Sequence, residues 1–152
     1  MHHLQIQPVS AATRTDWIKL RHELWPDCPL ARHELEIDQL LAGTGIVALA
    51  WINGTAVGFA EVSIRADHVE GTSTTPVPYL EGWYVRESHR GTGVGRALIN
   101  FIEKWSLDRG FTELASDAEL EDALSIKLHD RLGFREVGRT VHFVKPIRQP
   151  AD

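Results

Sequence analysis

Residues 84–105 read YVRESHRGTGVGRALINFIEKW. Gly91, Gly93 and Gly95 alternate inside a frame of Arg90 and Arg96, and an apolar run with helical spacing follows at once. Glycine admits positive φ and lets a backbone approach a ligand closely. A turn rich in glycine aims several N–H groups at one point. A helix start behind it adds unpaired N–H groups and the positive end of the dipole. Together these make a backbone anion site suited to phosphate. The loop is not a P-loop, which needs Lys followed by Ser or Thr. It also fails the dinucleotide fingerprint: the sixth position counted from Gly91 is Arg96, too bulky for close helix–strand packing. Taken alone, the other reading is a glycine-rich turn without a ligand.

The flanks extend this strand–loop–helix unit in both directions. Tyr79 to Val85 reads as the entering strand, and the helix runs from about Gly93 to Arg109, where Gly110 ends it. Upstream, Ile46–Trp51 and Thr55–Ile64 are β-rich runs around Asn53-Gly54, which is hairpin chemistry. Arg65 to Pro78 is polar, carries two prolines and reads as a loop. Leu4 to Val9 alternates like a strand. Thr13 or Thr15 is positioned to cap a helix through Trp17, Leu20, Leu24 and Trp25, which Pro26 and Pro29 break. A second helix, Ala31 to Leu41, stops at Gly43. Downstream come a short strand Phe111–Ser116, a helix from about Glu119 to Leu132 ended by Gly133, and a β-rich Val137–Val144, with room for a short strand near Phe134. The order β-α-α-β-β-β-α-β-α-β implies an α+β or α/β fold on one mixed sheet.

At 152 residues the chain suits one domain, taken as 1–148 with a short tail at 149–152. Hydrophobic residues at 43% and charged residues at 24% read as globular. No apolar run is long enough to span a bilayer. The N-terminus, MHHLQIQPVSAATR, lacks the core of a signal peptide, so no membrane association and a cytoplasmic location are expected. Cys28 is the only cysteine and cannot form an internal disulfide. A net charge of −5 argues against nucleic acid and is compatible with a cationic substrate or with plain solubility. The histidines are scattered without ligand spacing, so no metal is expected.

Arg90-Gly91-Thr92-Gly93-Val94-Gly95 resembles the R/Q-x-x-G-x-G/A signature of the GNAT superfamily of acyl-CoA-dependent N-acyltransferases. Leu128-His129-Asp130-Arg131-Leu132-Gly133-Phe134 resembles that family's second segment, and the element order agrees along nearly the whole chain. The resemblance implies a GNAT fold: a mixed central sheet flanked by helices, with a splay between the strand before the glycine loop and the next strand. It also implies acetyl-CoA as co-substrate, its pyrophosphate held on backbone N–H groups from Arg90, Gly91, Thr92, Gly93, Val94, Gly95 and Arg96. Backbone groups of Trp83, Tyr84 and Val85 would meet the pantetheine arm and polarise the thioester carbonyl.

A further set of segments, RHELWP (21–26), AEVSIR (60–65), YLEGWYV (79–85), ASD (115–117) and LGF (132–134), is similar to bacterial aminoglycoside 6′-N-acetyltransferases. That resemblance makes Trp25 a flat wall for a sugar ring. It makes Glu81 and Asp117 ligands for ammonium groups, one of them a proton acceptor. Asp67, Glu70 and Glu136 are further acidic candidates. Read without it, Trp25 is a core residue, Glu81 an outward strand residue and Asp117 part of a capping box opened by Ser116. Several positions depart from the relatives. Cys28 stands where many carry His, and Asp122 where some carry Asn near the acyl chain. Glu136 is the nearest acid to Gly138, and His68 lies in the drug-facing loop. His129 replaces a tyrosine used as general acid toward the thiolate; its other reading is a solvated helix residue. A homodimer is usual among such relatives. Two rivals stay open: another GNAT acceptor (a polyamine, a small metabolite or a protein lysine), and a non-catalytic acyl-CoA-binding module.

Overall fold

The computed structural model describes residues 3–151, which fall into two compact units dividing after Asp117. The first is built on a five-stranded sheet in the order β1 (Leu4–Pro8), β2 (Ile46–Ile52), β3 (Thr55–Arg65), β4 (Val77–Val85), β5 (Ala115–Ser116). The first four are antiparallel neighbours, and β5 joins β4 in parallel. Three helices belong to this unit: α1 (Arg14–Leu24), α2 (Leu30–Ala42) and α3 (Val94–Asp108).

The Asn53-Gly54 turn forms as read. Both residues are left-handed, φ 51° and 78°, which gives a primed turn whose twist matches the flanking strands. α1 begins at Arg14 rather than behind Thr15. Ser10 donates its N–H to Thr13 Oγ1 at 2.9 Å in the short 3-10 turn before it. α1 and α2 cover one face of the sheet, where Trp17, Leu20 and Ile37 pack with Val47, Leu49 and Phe59. Strand alternation sends Ala48, Ala50, Gly58 and Ala60 to the opposite face, under α3. That row of small residues lets the helix sit close: a Cβ on Gly58 would lie 3.4 Å from Leu98 Cδ1 and 2.7 Å from the Tyr84 carbonyl oxygen. Leu98, Ile99 and Ile102 are fully buried there, each contributing about 2 kcal/mol.

Two irregularities in β4 depart from a regular ladder. Glu61 pairs with Gly82 and Val62 with Leu80, so Glu81 is an extra, unpaired residue, a β-bulge. β5 meets β4 only at Tyr79 and Leu80. Beyond Leu80 the β5-side edge of β4 has no strand neighbour among the described residues, which is the expected splay.

The second unit holds α4 (Ala123–Arg131), ended by Gly133 at φ 90° with the Phe134 N–H returned to the His129 carbonyl at 3.0 Å. Three readings are corrected. The strand expected over Phe111–Ser116 shrinks to Ala115–Ser116, because only those residues find a partner on β4. The helix expected from Glu119 starts at Ala123, capped by Asp122 Oδ1 on the Ser125 N–H at 3.0 Å, so no Ser116 capping box forms. Val137–Val144 is not a strand, nor is there one near Phe134. A β-rich run pairs only where an edge is offered, and Val141, Phe143, Val144 and Ile147 are instead 74–94% exposed.

Candidate active site

The glycine loop forms an open cradle. Gly91 and Gly93 take φ of 75° and 92°, and Gly93 is the N-cap of α3. Having no side chain, it gives the first turn no cap, and no protein acceptor among the described residues takes the N–H groups of Val94, Gly95 and Arg96. A Cβ on Gly91 or Gly93 would meet no atom within 4 Å, so the space over the loop is clear. Thr92 Oγ1 donates to the His89 carbonyl at 2.6 Å, and Arg90 Nε to the Val85 carbonyl at 2.8 Å, tying the loop to the end of β4. Gly95 has another reason to be glycine: its Cβ would touch the Trp83 indole at 3.3 Å. The geometry fits a diphosphate held by main chain.

On the opposite face of β4 lies a cleft of about 1020 Å³ whose walls include Trp25, Cys28, Glu36, Glu61, Ser63 and Glu81. The bulge explains how Glu81 reaches it. Strict alternation would turn Glu81 and Gly82 to opposite faces, yet both face the cleft side. Glu81 accepts from Ser63 Oγ at 2.6 Å, and Gly82 lies against Trp25, Phe59 and Glu61. Trp25 is both a packed residue and part of the cleft wall. It packs against Phe59 edge-on and stacks with His33, and it also lines the cleft.

Glu81 is heavily engaged: Arg65 donates to both its oxygens at 2.8 Å, besides the bond from Ser63. The Arg65 guanidinium also covers the Tyr79 ring at 3.4 Å, and the Tyr79 hydroxyl donates to Asp117 Oδ2 at 2.6 Å. Burial, then the Asp117 carboxylate, push the Tyr79 phenol far above its ordinary range, so it stays a donor. Asp117 is thus a partner of Tyr79, not a helix cap. One chain of contacts links both candidate carboxylates.

Beneath the cleft is an ionic cluster the sequence reading did not single out. Glu61, 1% exposed, accepts from Trp17 Nε1 at 2.7 Å and pairs with Arg21. Arg21 also reaches Glu36 at 2.8 Å and His33 Nδ1 at 3.2 Å. Burial raises the Glu61 carboxyl to about 7 against the opposing pull of Arg21. Burial, with Arg21 beside it, pushes His33 down. The signal was present: Arg21 falls on the Trp17–Leu20–Leu24 stripe, and Glu61 on the inward parity of Phe59. Cys28, His33 and Glu36 bring ligand-type atoms within 4.8 Å of one another, but Arg21 already takes two of the three, Glu36 at 2.8 Å and His33 Nδ1 at 3.2 Å.

Other candidates lie apart from these contacts. His68 is exposed in the loop after β3, 3.6 Å from Glu70, and Asp67 is exposed there too. Glu113 fixes the same loop by accepting from the Ser73 and Thr74 N–H groups and from Thr74 Oγ1. Tyr84 turns its side chain to Phe59 and Glu23. Within the second unit, Asp122 serves as the α4 cap and Glu136 pairs with Arg139. His129 Nδ1 donates to the Ser125 carbonyl at 2.7 Å, which puts the ring proton on Nδ1.

Comparison with known proteins gives a consistent picture. The family model described as acetyltransferase (GNAT) family matches residues 11–134. The aminoglycoside N(6′)-acetyltransferase type 1 of Stenotrophomonas maltophilia is 43% identical over 97% of this chain and 94% of its own. That of Acinetobacter haemolyticus is 42% identical over 95% and 99%. Among solved structures, AAC(6′)-Iy in complex with the bisubstrate analogue CoA-S-monomethyl-acetylneamine aligns with TM-score 0.89 at 35% identity, covering 95% of this chain and 99% of that one. The apo AAC(6′)-Ig of A. haemolyticus aligns at 0.87 and 41% identity, with the same coverage.

Proposed function

The chain belongs to the GNAT acetyltransferase family, and we propose that it carries acetyl from acetyl-CoA directly to the 6′-amino group of aminoglycosides. The observation that carries the reading is the placement of two sites on one strand. β4 leads into the uncapped, glycine-led first turn of α3, and on its other face it borders a cleft walled by Trp25 and the carboxylates of Glu36, Glu61 and Glu81. Diphosphate on the N–H groups of Val94 to Arg96 aims the pantetheine arm along the edge of β4 that β5 leaves after Leu80. Main-chain donors there, from Trp83 to Val85, stabilise the oxyanion as the amine attacks the thioester carbonyl. The C–N bond forms, the C–S bond breaks and the thiolate departs; the amine loses one proton.

That amine must arrive neutral. Asp117 is the better acceptor for its proton. It holds one neutral donor, Tyr79, whereas Glu81 holds three, two of them charged. Glu81 and the part-exposed Glu36 hold the companion ammonium groups, and Trp25 supports a sugar ring. A thiolate is a good leaving group near its own pKa. No general acid is assigned toward it.

No described helix is long and apolar enough to cross a membrane. We place the enzyme in the cytoplasm, where acetyl-CoA is at hand, as a homodimer. The exposed Val141, Phe143, Val144 and Ile147 support the second point, since several large apolar side chains near one another in sequence are costly to leave wet. Light scattering at the monomer mass would refute it. The activity is tested by coenzyme A release over an aminoglycoside panel. Turnover is expected with 6′-amino compounds and absent with analogues lacking that amine. Equal turnover of both, or binding without thiol release, would overturn it.

A further inference from the structure

Arg65 stands where a substrate cation is expected. Its fork takes both oxygens of Glu81 at 2.8 Å, and its plane covers Tyr79, the donor to Asp117. One guanidinium therefore neutralises one proposed acceptor-site carboxylate and lies over the hydrogen-bond partner of the other. The pair is not sealed: the Arg65 and Glu81 side chains are 42% and 28% exposed. Partly exposed pairs of this kind exchange partners at little cost. Ser63 Oγ, 2.6 Å from Glu81, would hold the carboxylate in place through such an exchange.

Building on the function proposed above, we propose that Arg65 is a displaceable internal cation that makes the acceptor site select polycationic amines over amines with a single positive charge. The reason is a balance of charges. A substrate with several ammonium groups can set one of them on Glu81 as the guanidinium swings into water, so the carboxylate never stands alone. A single-amine substrate must give up its only charge to react, and has nothing to exchange for Arg65. Its entry leaves the guanidinium in the site, an obstacle built against the wrong ligand. Arginine keeps its proton at every working pH and its fork fits a carboxylate better than lysine does, so the obstacle does not titrate away.

The test compares two acceptors that share the reacting 6-amino-6-deoxyhexose: the free sugar, with one amine, and a kanamycin A-type aminoglycoside with several. Coenzyme A release is followed at saturating acetyl-CoA in the wild type, Arg65→Met and Arg65→Lys. In Arg65→Met the ratio of kcat/KM for the aminoglycoside over the free sugar is expected to fall about tenfold. The fall should come from gain on the single-amine sugar, with the aminoglycoside KM not raised. Arg65→Lys, charged but without the fork, should fall between. An unchanged ratio in both variants overturns the proposal. So does an equal loss of kcat on both acceptors, which would make Arg65 only a support for Glu81. A wild type that acetylates neither compound refutes the proposed function itself.

Discussion

Two glycines of one loop serve different ends. Gly93 is held by its dihedral angle: φ is 92°, and the space around it is clear. Gly95 is held by a neighbour, the Trp83 indole. A β-branched residue at 93 strains the left-handed turn by about 1–3 kcal/mol or closes the cradle to relieve it. Gly93→Val is therefore expected to raise the Kd for coenzyme A about tenfold or more. Gly95→Leu should raise it as well, with a change in Trp83 fluorescence that Gly93→Val lacks. Titration calorimetry showing unchanged affinity in both variants would contradict the cradle. Asp117, held by Tyr79, is the proposed proton acceptor, so Asp117→Ala should lower kcat about a hundredfold while leaving coenzyme A binding as it is. Full turnover by that variant would remove Asp117 from the reaction.

At the scale of elements, the bulge in β4 brings Tyr79, Glu81 and Gly82 to one face. Gly82 contributes by being small: a Cβ there would press Trp25 at 2.7 Å and Phe59 at 3.2 Å. Gly82→Ala is expected to displace Trp25, raising KM for the aminoglycoside several-fold and sparing that for acetyl-CoA; an unchanged acceptor KM would separate Trp25 from the substrate wall. The hairpin, the entering strand and the glycine loop were legible because each is written in consecutive residues. The bulge was not. It depends on how β3 and β4 slide into register, and strict alternation from Tyr79 and Glu81 would turn Gly82 to the opposite face. The link from Arg65 to Glu81 was hidden for the same reason. The β propensity of Val137–Val144 was read correctly as composition but not as a strand, since pairing needs an edge that composition cannot supply.

Across the whole molecule, one buried acid sets the response to pH. The folded chain raises Glu61 from its ordinary 4.5 to about 7, chiefly by burial. Between those values the folded form holds more protons than the unfolded one, so stability falls as pH rises through the window, by roughly 3 kcal/mol. Glu23 and Glu36 are shifted the other way: the stability they add is present above their unfolded pKa and is lost on going into acid. His33, pushed down from 6.5 by burial, opposes Glu61 below that value and blunts the decline there without reversing it above. The melting temperature should peak near pH 5 and decline toward pH 7.5. Glu61→Gln, which keeps an acceptor for Trp17 but does not titrate, should flatten that decline. Calorimetry showing stability that climbs from pH 5 to 7.5, or a decline that survives in Glu61→Gln, would contradict this. A different consequence attaches to the row of Ala48, Ala50, Gly58 and Ala60 under α3. With the diphosphate held by peptide groups as proposed, an inhibitor copying that diphosphate would meet few side chains that mutation can trade away. Escape would have to come from beneath, by swelling that floor until the helix tilts, and a cell choosing that route would weaken its own enzyme along with the inhibitor's hold.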